Sequence, residues 1–101
     1  MRFSWDERKN RANLREHGVS FEAARLAFAD PFVLFGQDRE SDNEVRWQAI
    51  GKVSGKTLLL VAHTYEDDEG EETTRIISAR RAATRESEIY NRQFYPGSNR
   101  R

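Results

Sequence analysis

Two arginines set five residues apart raise the first question of chemistry. The segment Thr73 to Ala82 reads T-T-R-I-I-S-A-R-R-A. Its β-branched residues, its alternation and its lack of Gly or Pro predict a strand. Regular alternation points Ile76, Ser78 and Arg80 one way and Arg75, Ile77 and Ala79 the other. A guanidinium on a sheet is costly unless it sits at an end, at an edge or along a polar cleft. Glu44 and Arg46 fall on the polar face of a predicted strand over 44–53, and His63 falls on the strand before the arginines. Brought together, a carboxylate, an imidazole and guanidiniums suit cleavage of RNA without a metal. A base takes the ribose 2′-hydroxyl proton, and the oxygen attacks the adjacent phosphorus. Cationic donors hold the charge on the phosphoryl oxygens, and an acid protonates the leaving 5′-oxygen. Arginine suits the task because its fork matches phosphate oxygens. General acid–base groups contribute about 10²–10⁴ each in rate, and one charge-stabilising donor about 10²–10³.

Spacing alone does not assemble such a site. For Glu44 and Arg46 it favours a cross-strand ion pair on the surface. His63 shares a side with Leu59 and Val61, which fits a packed core histidine at least as well as a catalytic one. Arg75 also fits an exposed strand charge, whereas Arg80 falls at a strand end, where donors line clefts. Lys9 and His17 fall on a polar first helix and face solvent, and His17 also suits the helix C-terminus. Tyr90 reads as a core contact. His17 and His63 are the only histidines, they lack ligand-like spacing, and there is no cysteine, so neither a metal nor another cofactor is expected.

The 101 residues read as a single domain over 1–95 with a flexible tail over 96–101. The charged N-terminus has no apolar signal region. The longest apolar run, Leu58–Ala62, falls far short of the ~18 residues that cross a bilayer. A cytoplasmic protein without membrane contact is the expectation. Net charge is zero but unevenly placed: residues 1–30, 31–72 and 73–101 carry +1, −6 and +5. The basic last third suits an anion such as nucleic acid or an acidic partner, and equally a solvated tail that balances the middle.

Phe3 and Trp5, alternating with Arg2 and Ser4, predict a short first strand. A helix follows from the N-cap Asp6 to about His17, closed by a left-handed Gly18. Only Ala12 and Leu14 are clearly apolar on it, so it should touch the body along a narrow stripe. Ser20 caps a second helix with a broad apolar face, stopped by Asp30-Pro31, and the two helices form a hairpin. Strands are predicted over 32–36, 44–53 and 57–65, with polar loops over 37–43 and 66–72. Leu58–Ala62 is apolar on both faces and marks a central strand. Residues 84–94 predict a last helix. The order strand, helix, helix, four strands, helix is α+β: a helical hairpin on a mostly antiparallel twisted sheet, plus a C-terminal helix. One short helix leaves part of the second face open.

The stretches Phe3–Ala24, Asp30-Pro31, E-V-R-W-Q-A-I-G (Glu44–Gly51), L-L-L-V-A-H-T (Leu58–Thr64) and R-I-I-S-A-R-R-A (Arg75–Ala82) together resemble the BrnT family of bacterial toxins. The resemblance spans about residues 3 to 90, and W-D-x-x-K-N-x-x-N-x-x-x-H-G-V-S-F with R-I-I-S-A-R is its specific part. It implies the toxin half of a type II toxin–antitoxin pair, a ribonuclease of RelE-like α+β fold that stops translation and growth by cutting RNA. It also implies a BrnA-type ribbon-helix-helix antitoxin as partner, with operator DNA bound only through that complex. Lys9, His17, Glu44, Arg46, His63, Arg75 and Arg80 lie in the matching stretches. On our assignment Arg46 and Arg80 hold the phosphate, Glu44 or His63 is base or acid, and Lys9, His17 and Arg75 bind RNA. The competing class is a degenerate, non-catalytic module that binds an antitoxin and supports operon control. A DNA-binding domain in its own right lacks a basic recognition helix, since the second helix carries only Arg25.

Overall fold

The computed structural model describes residues 1–41 and 44–95; the predicted tail over 96–101 and the last two residues of the predicted loop lie outside the described residues. The elements are β1 (Arg2–Ser4), α1 (Glu7–His17), α2 (Phe21–Ala24) running into a 3₁₀ turn (Arg25–Ala29), β2 (Leu34–Ser41), β3 (Glu44–Val53), β4 (Thr57–Asp68), β5 (Glu71–Arg81) and α3 (Thr84–Asn91). The five strands form one sheet in the order β1-β5-β4-β3-β2. β2 to β5 pair antiparallel, and β1 joins β5 in parallel. The architecture is the expected α+β one, and the doubly apolar β4 is its middle strand.

The hairpin of α1 and α2 covers one face. Phe21, Ala24 and Ala27 pack there on Ala49, Leu59, Val61, Ile76 and Ala79. Burying side chains such as Phe21, Val61 and Ile76 contributes roughly 1.5–3 kcal/mol each. Where β3 passes the 3₁₀ turn only glycine fits, since a Cβ on Gly51 would stand 2.3 Å from the Ala27 carbonyl oxygen. α3 covers one end of the second face, setting Tyr90 against Ile50, Leu60 and Leu58. The rest of that face is open.

α1 has the predicted ends. Asp6 accepts from the Arg8 and Lys9 N–H groups, and Gly18 closes the helix at φ 71°. Its contact stripe is different from the expected one. Leu14 is half exposed, and Asn10 and Asn13 are the buried residues. The second helix is also shorter than expected, a single α turn that tightens to 3₁₀ before Asp30-Pro31. Both predicted loops are mostly strand. β2 continues to Ser41, and β4 and β5 extend as a long ribbon that turns only at Glu69-Gly70, both at positive φ. The ribbon continues the packed middle of β4 and β5, and the ion pairs Arg2–Glu71 and Arg75–Glu66 lie along one side of it.

One irregularity resets the sheet. Ala62 faces Ser78 but His63 faces Ile76, so Ile77 is an extra residue in β5. The regular alternation expected for this strand is therefore broken. Ile76 and Ala79 share the helix-covered face, and both arginines, Arg75 and Arg80, lie on the other.

Candidate functional site

On the open face, beside the end of α3, the side chains form a cleft of about 270 Å³. Arg46 and Gln48 enter it from β3, Ala62 and Leu60 from β4, and Ser78 and Arg80 from β5. Asp38 closes it on the β2 side and His17 on the side of α1. Gln48 and Ser78 flank Ala62 in register, so the floor between the cations is polar and low.

His17 reaches this face because of how α1 is held. β1 pairs only with Thr73–Arg75 and leaves the outer edge of β5 without a strand further on. Asn13 takes the place of that strand. Its amide accepts from the Ala79 N–H at 3.2 Å, and donates to the Ala79 carbonyl at 2.8 Å and to the Val19 carbonyl at 2.8 Å. Asn10 accepts from the Phe21 N–H at 2.8 Å and donates to Glu22 at 2.9 Å, which locks the hairpin. The helix thus runs along the sheet edge, and its last residue comes round to the cleft. The His17 imidazole is partly exposed, with the Glu16 carboxylate 3.8 Å away.

Arg80 is held rigidly. Both its terminal nitrogens donate to the Glu86 carboxylate, at 2.9 and 2.8 Å, and one also donates to the Arg81 carbonyl at 3.1 Å. Glu86 accepts in addition from the Ala83 N–H at 2.7 Å, in the first turn of α3. Hydrogen bonding from Arg80 holds the Glu86 carboxyl below its ordinary range despite partial burial, and the same pair raises Arg80 further. Arg80 is therefore a fixed cation in the cleft lining. Arg46 is the opposite case: its Nε is buried and makes no hydrogen bond among the described residues. Such a donor is costly to leave unpaired.

The remaining sequence candidates do not join this cleft. His63 lies on the other face, fully buried against Phe28, Phe35 and Tyr65 at ring distances of 4.9, 6.1 and 5.1 Å. Its ring nitrogens meet the Val61 carbonyl at 3.3 Å and the Tyr65 hydroxyl at 3.2 Å. Burial lowers its pKa, so it is a neutral core histidine, and the expectation of an acid or base there is corrected. Glu44 is exposed at the start of β3, on the Arg46 side by alternation but outside the cleft lining. Arg75 sits four β4 residues from Arg80, about 13 Å down the sheet, with a nitrogen 3.9 Å from Glu66. Lys9 is exposed on α1, two helical turns and about 12 Å from His17. The sequence reading missed Glu86 and Asp38 as neighbours of the cations. An acidic residue three positions after a helix start was a signal for Glu86. Asp38 lay in what read as a loop.

A pair of guanidiniums beside an imidazole, over a hydroxyl and an amide, can bind one phosphodiester and exchange protons with it. Among the described residues no group of three or more His, Cys, Asp or Glu could hold a metal ion. A larger cavity, about 480 Å³, opens between Leu26, Phe32 and Phe94, but its carboxylate is occupied. Asp30 accepts from the Tyr90 hydroxyl at 2.6 Å, the Lys52 N–H at 2.7 Å and the Phe32 N–H at 2.9 Å.

Comparison with known proteins adds a family. The one described as ribonuclease toxin, BrnT, of type II toxin–antitoxin system matches residues 5–86. Among solved structures, the crystal structure of the Brucella abortus ribonuclease toxin BrnT is similar in fold, with a TM-score of 0.58 and 24% sequence identity. The likeness covers 83% of this chain and 99% of that one. No curated protein matches.

Proposed function

The chain belongs to the BrnT family of ribonuclease toxins of type II toxin–antitoxin systems, and on that premise we propose that it cuts RNA in the cleft between His17, Arg46 and Arg80. The observation that carries the reading is the convergence of two guanidiniums and an imidazole on an open sheet face. Arg46 and Arg80, both in the cleft lining, hold the scissile phosphate. His17, whose imidazole lines the cleft, exchanges the proton. Glu44, two residues before Arg46 on β3 and outside the cleft lining, is the sequence candidate for the second proton transfer. The 2′-oxygen forms a bond to phosphorus, the bond from phosphorus to the 5′-oxygen breaks, and the products are a 2′,3′-cyclic phosphate and a 5′-hydroxyl. No step needs a metal or another cofactor. Lys9 and Arg75 meet the RNA backbone outside the cleft.

As a toxin of this kind the protein has a protein antitoxin. We take that antitoxin to be of the BrnA type, a ribbon-helix-helix protein through which the complex reaches operator DNA. Residues 1–95 act as one toxin unit, and the site of action is the cytoplasm, where translated RNA is found. Among the described residues no helix is long and apolar enough to cross a membrane.

Induced expression tests the reading. Growth should stop, and Arg46→Ala or Arg80→Ala should relieve it while lowering cleavage of purified RNA about 10²–10³-fold. His17→Ala should cost about 10²–10⁴-fold. Cleaved ends should carry 2′,3′-cyclic phosphate, and a chelator should leave the rate unchanged. A wild-type protein that is harmless and cuts no RNA, alone or on ribosomes, would leave the non-catalytic antitoxin-binding module in its place.

A further inference from the structure

The helical hairpin leaves part of its face uncovered. Beyond the 3₁₀ turn a line of rings crosses the sheet: Phe3 to Phe28 at 5.2 Å, Phe28 to Phe35 at 6.0 Å, Phe28 to His63 at 4.9 Å, His63 to Tyr65 at 5.1 Å, and Tyr65 to Trp47 at 6.0 Å. Phe35 is 48% exposed and Tyr65 38%, and Trp47 is only partly buried. Adjoining exposed rings form an apolar patch of the kind that serves as a contact surface.

At its Tyr65 end this surface is acidic, while Arg25 lines its Phe3–Phe28 end. Asp67 and Glu72 form a register pair two residues beyond Tyr65 and Thr74, so they lie on the same side as the rings. The acids facing the other way, Glu66 and Glu71, are neutralised by Arg75 and Arg2. Asp67 and Glu72 have no ion-pair partner among the described residues. Burial, and after it the Glu72 charge, raises the Tyr65 phenol.

We infer that this aromatic and acidic surface seats the antitoxin, through a segment that carries apolar side chains flanked by Lys or Arg. The inference rests on the antitoxin that membership of the family brings, and not on the chemistry of the cleft. Charge complementarity selects the occupant. RNA and an anionic lipid surface are repelled by Asp67 and Glu72. A second copy of the chain, set across a two-fold axis, would bring this acidic surface against itself. A cationic apolar segment stacks on the rings and pairs both carboxylates. The surface also lies on the opposite face of the sheet from His17, Arg46 and Arg80, so the seated segment is an anchor. Covering the cleft falls to another part of the antitoxin.

The test uses the full-length toxin and the purified antitoxin of the same operon. Trp5→Phe leaves Trp47 as the sole tryptophan, and its emission should move to the blue when antitoxin is added. Asp67→Lys with Glu72→Lys should weaken the complex at least about tenfold, and Phe35→Ser should do the same by a different route. RNA cleavage by the free charge variant should stay as it was. Unchanged affinity in both variants with unmoved Trp47 emission overturns the inference. So does a change in the sedimentation of the toxin alone, which would assign the surface to a second copy. A protein that cuts no RNA yet gives the expected shifts would unseat the nuclease reading and leave this one standing.

Discussion

His63 shows how a residue type that suggests catalysis can serve packing. Burial disfavours its charged form, and the Val61 carbonyl only partly offsets this, so its folded pKa lies below the ordinary 6.5. As pH falls past that value the unfolded chain takes up the proton first. The stability tied to His63 is therefore complete above about pH 6.5 and is lost as pH drops toward the lower folded value. The slope is at most about 1.4 kcal/mol per pH unit. His63→Phe should unfold in urea with a shallower pH dependence than the wild type over this range. RNA cleavage by that variant at neutral pH should persist, because the ring is nowhere near the cleft. Arg46 and Arg80 could be read from the sequence as cations on one sheet, since their strands are plain from composition. That Arg80 is tied to Glu86 could not, because the pair forms only when the chain turns back into α3.

At the scale of elements, the largest surprise is what holds α1. Strand alternation and helix caps were legible, because they depend on neighbours in the chain. The buried face of α1 was not, since asparagine in a helix reads as solvated surface and here Asn13 completes a sheet edge 66 positions away. Three hydrogen bonds meet on that one side chain. Asn13→Ala leaves buried backbone groups at Ala79 and Val19 unpaired, at a cost of about 1–3 kcal/mol each in the worst case. Chemical denaturation should show a loss of a few kcal/mol, and cleavage should fall with it because His17 loses its place. Asn13→Asp restores the acceptor to Ala79 N–H but not the two donations, and should be intermediate or worse. The polar ribbon of β4 and β5 was misread as a loop for a related reason: the rules that mark strands look for an apolar side, and this ribbon has none at its tip.

For the whole molecule, the C-terminal helix α3 is a clasp, tied to β3 and to the turn before β2. Tyr90 donates to Asp30 at 2.6 Å, and Lys52 stands 5.7 Å from its ring centre. Burial and the Asp30 charge push the Tyr90 phenol up to about 12. Burial alone would raise the Asp30 carboxyl, but the bonds from Tyr90 and two backbone N–H groups outweigh it and hold the group below its ordinary range. Tyr90→Phe should cost about 1–2 kcal/mol of stability. Because α3 also carries Glu86, the same change should loosen Arg80 and lower cleavage more than it lowers binding of RNA, read as kcat against KM. Two positions an odd number apart in a flat ribbon look at different solvents, yet Arg75 and Arg80 look at the same one. A regular pleat that kept Ile77 in register would turn one arginine into the hydrophobic layer under the helices or drive Ile76 out of it. A single supernumerary residue is thus what lets a strand that seals the interior also carry a row of positive charge along its exterior.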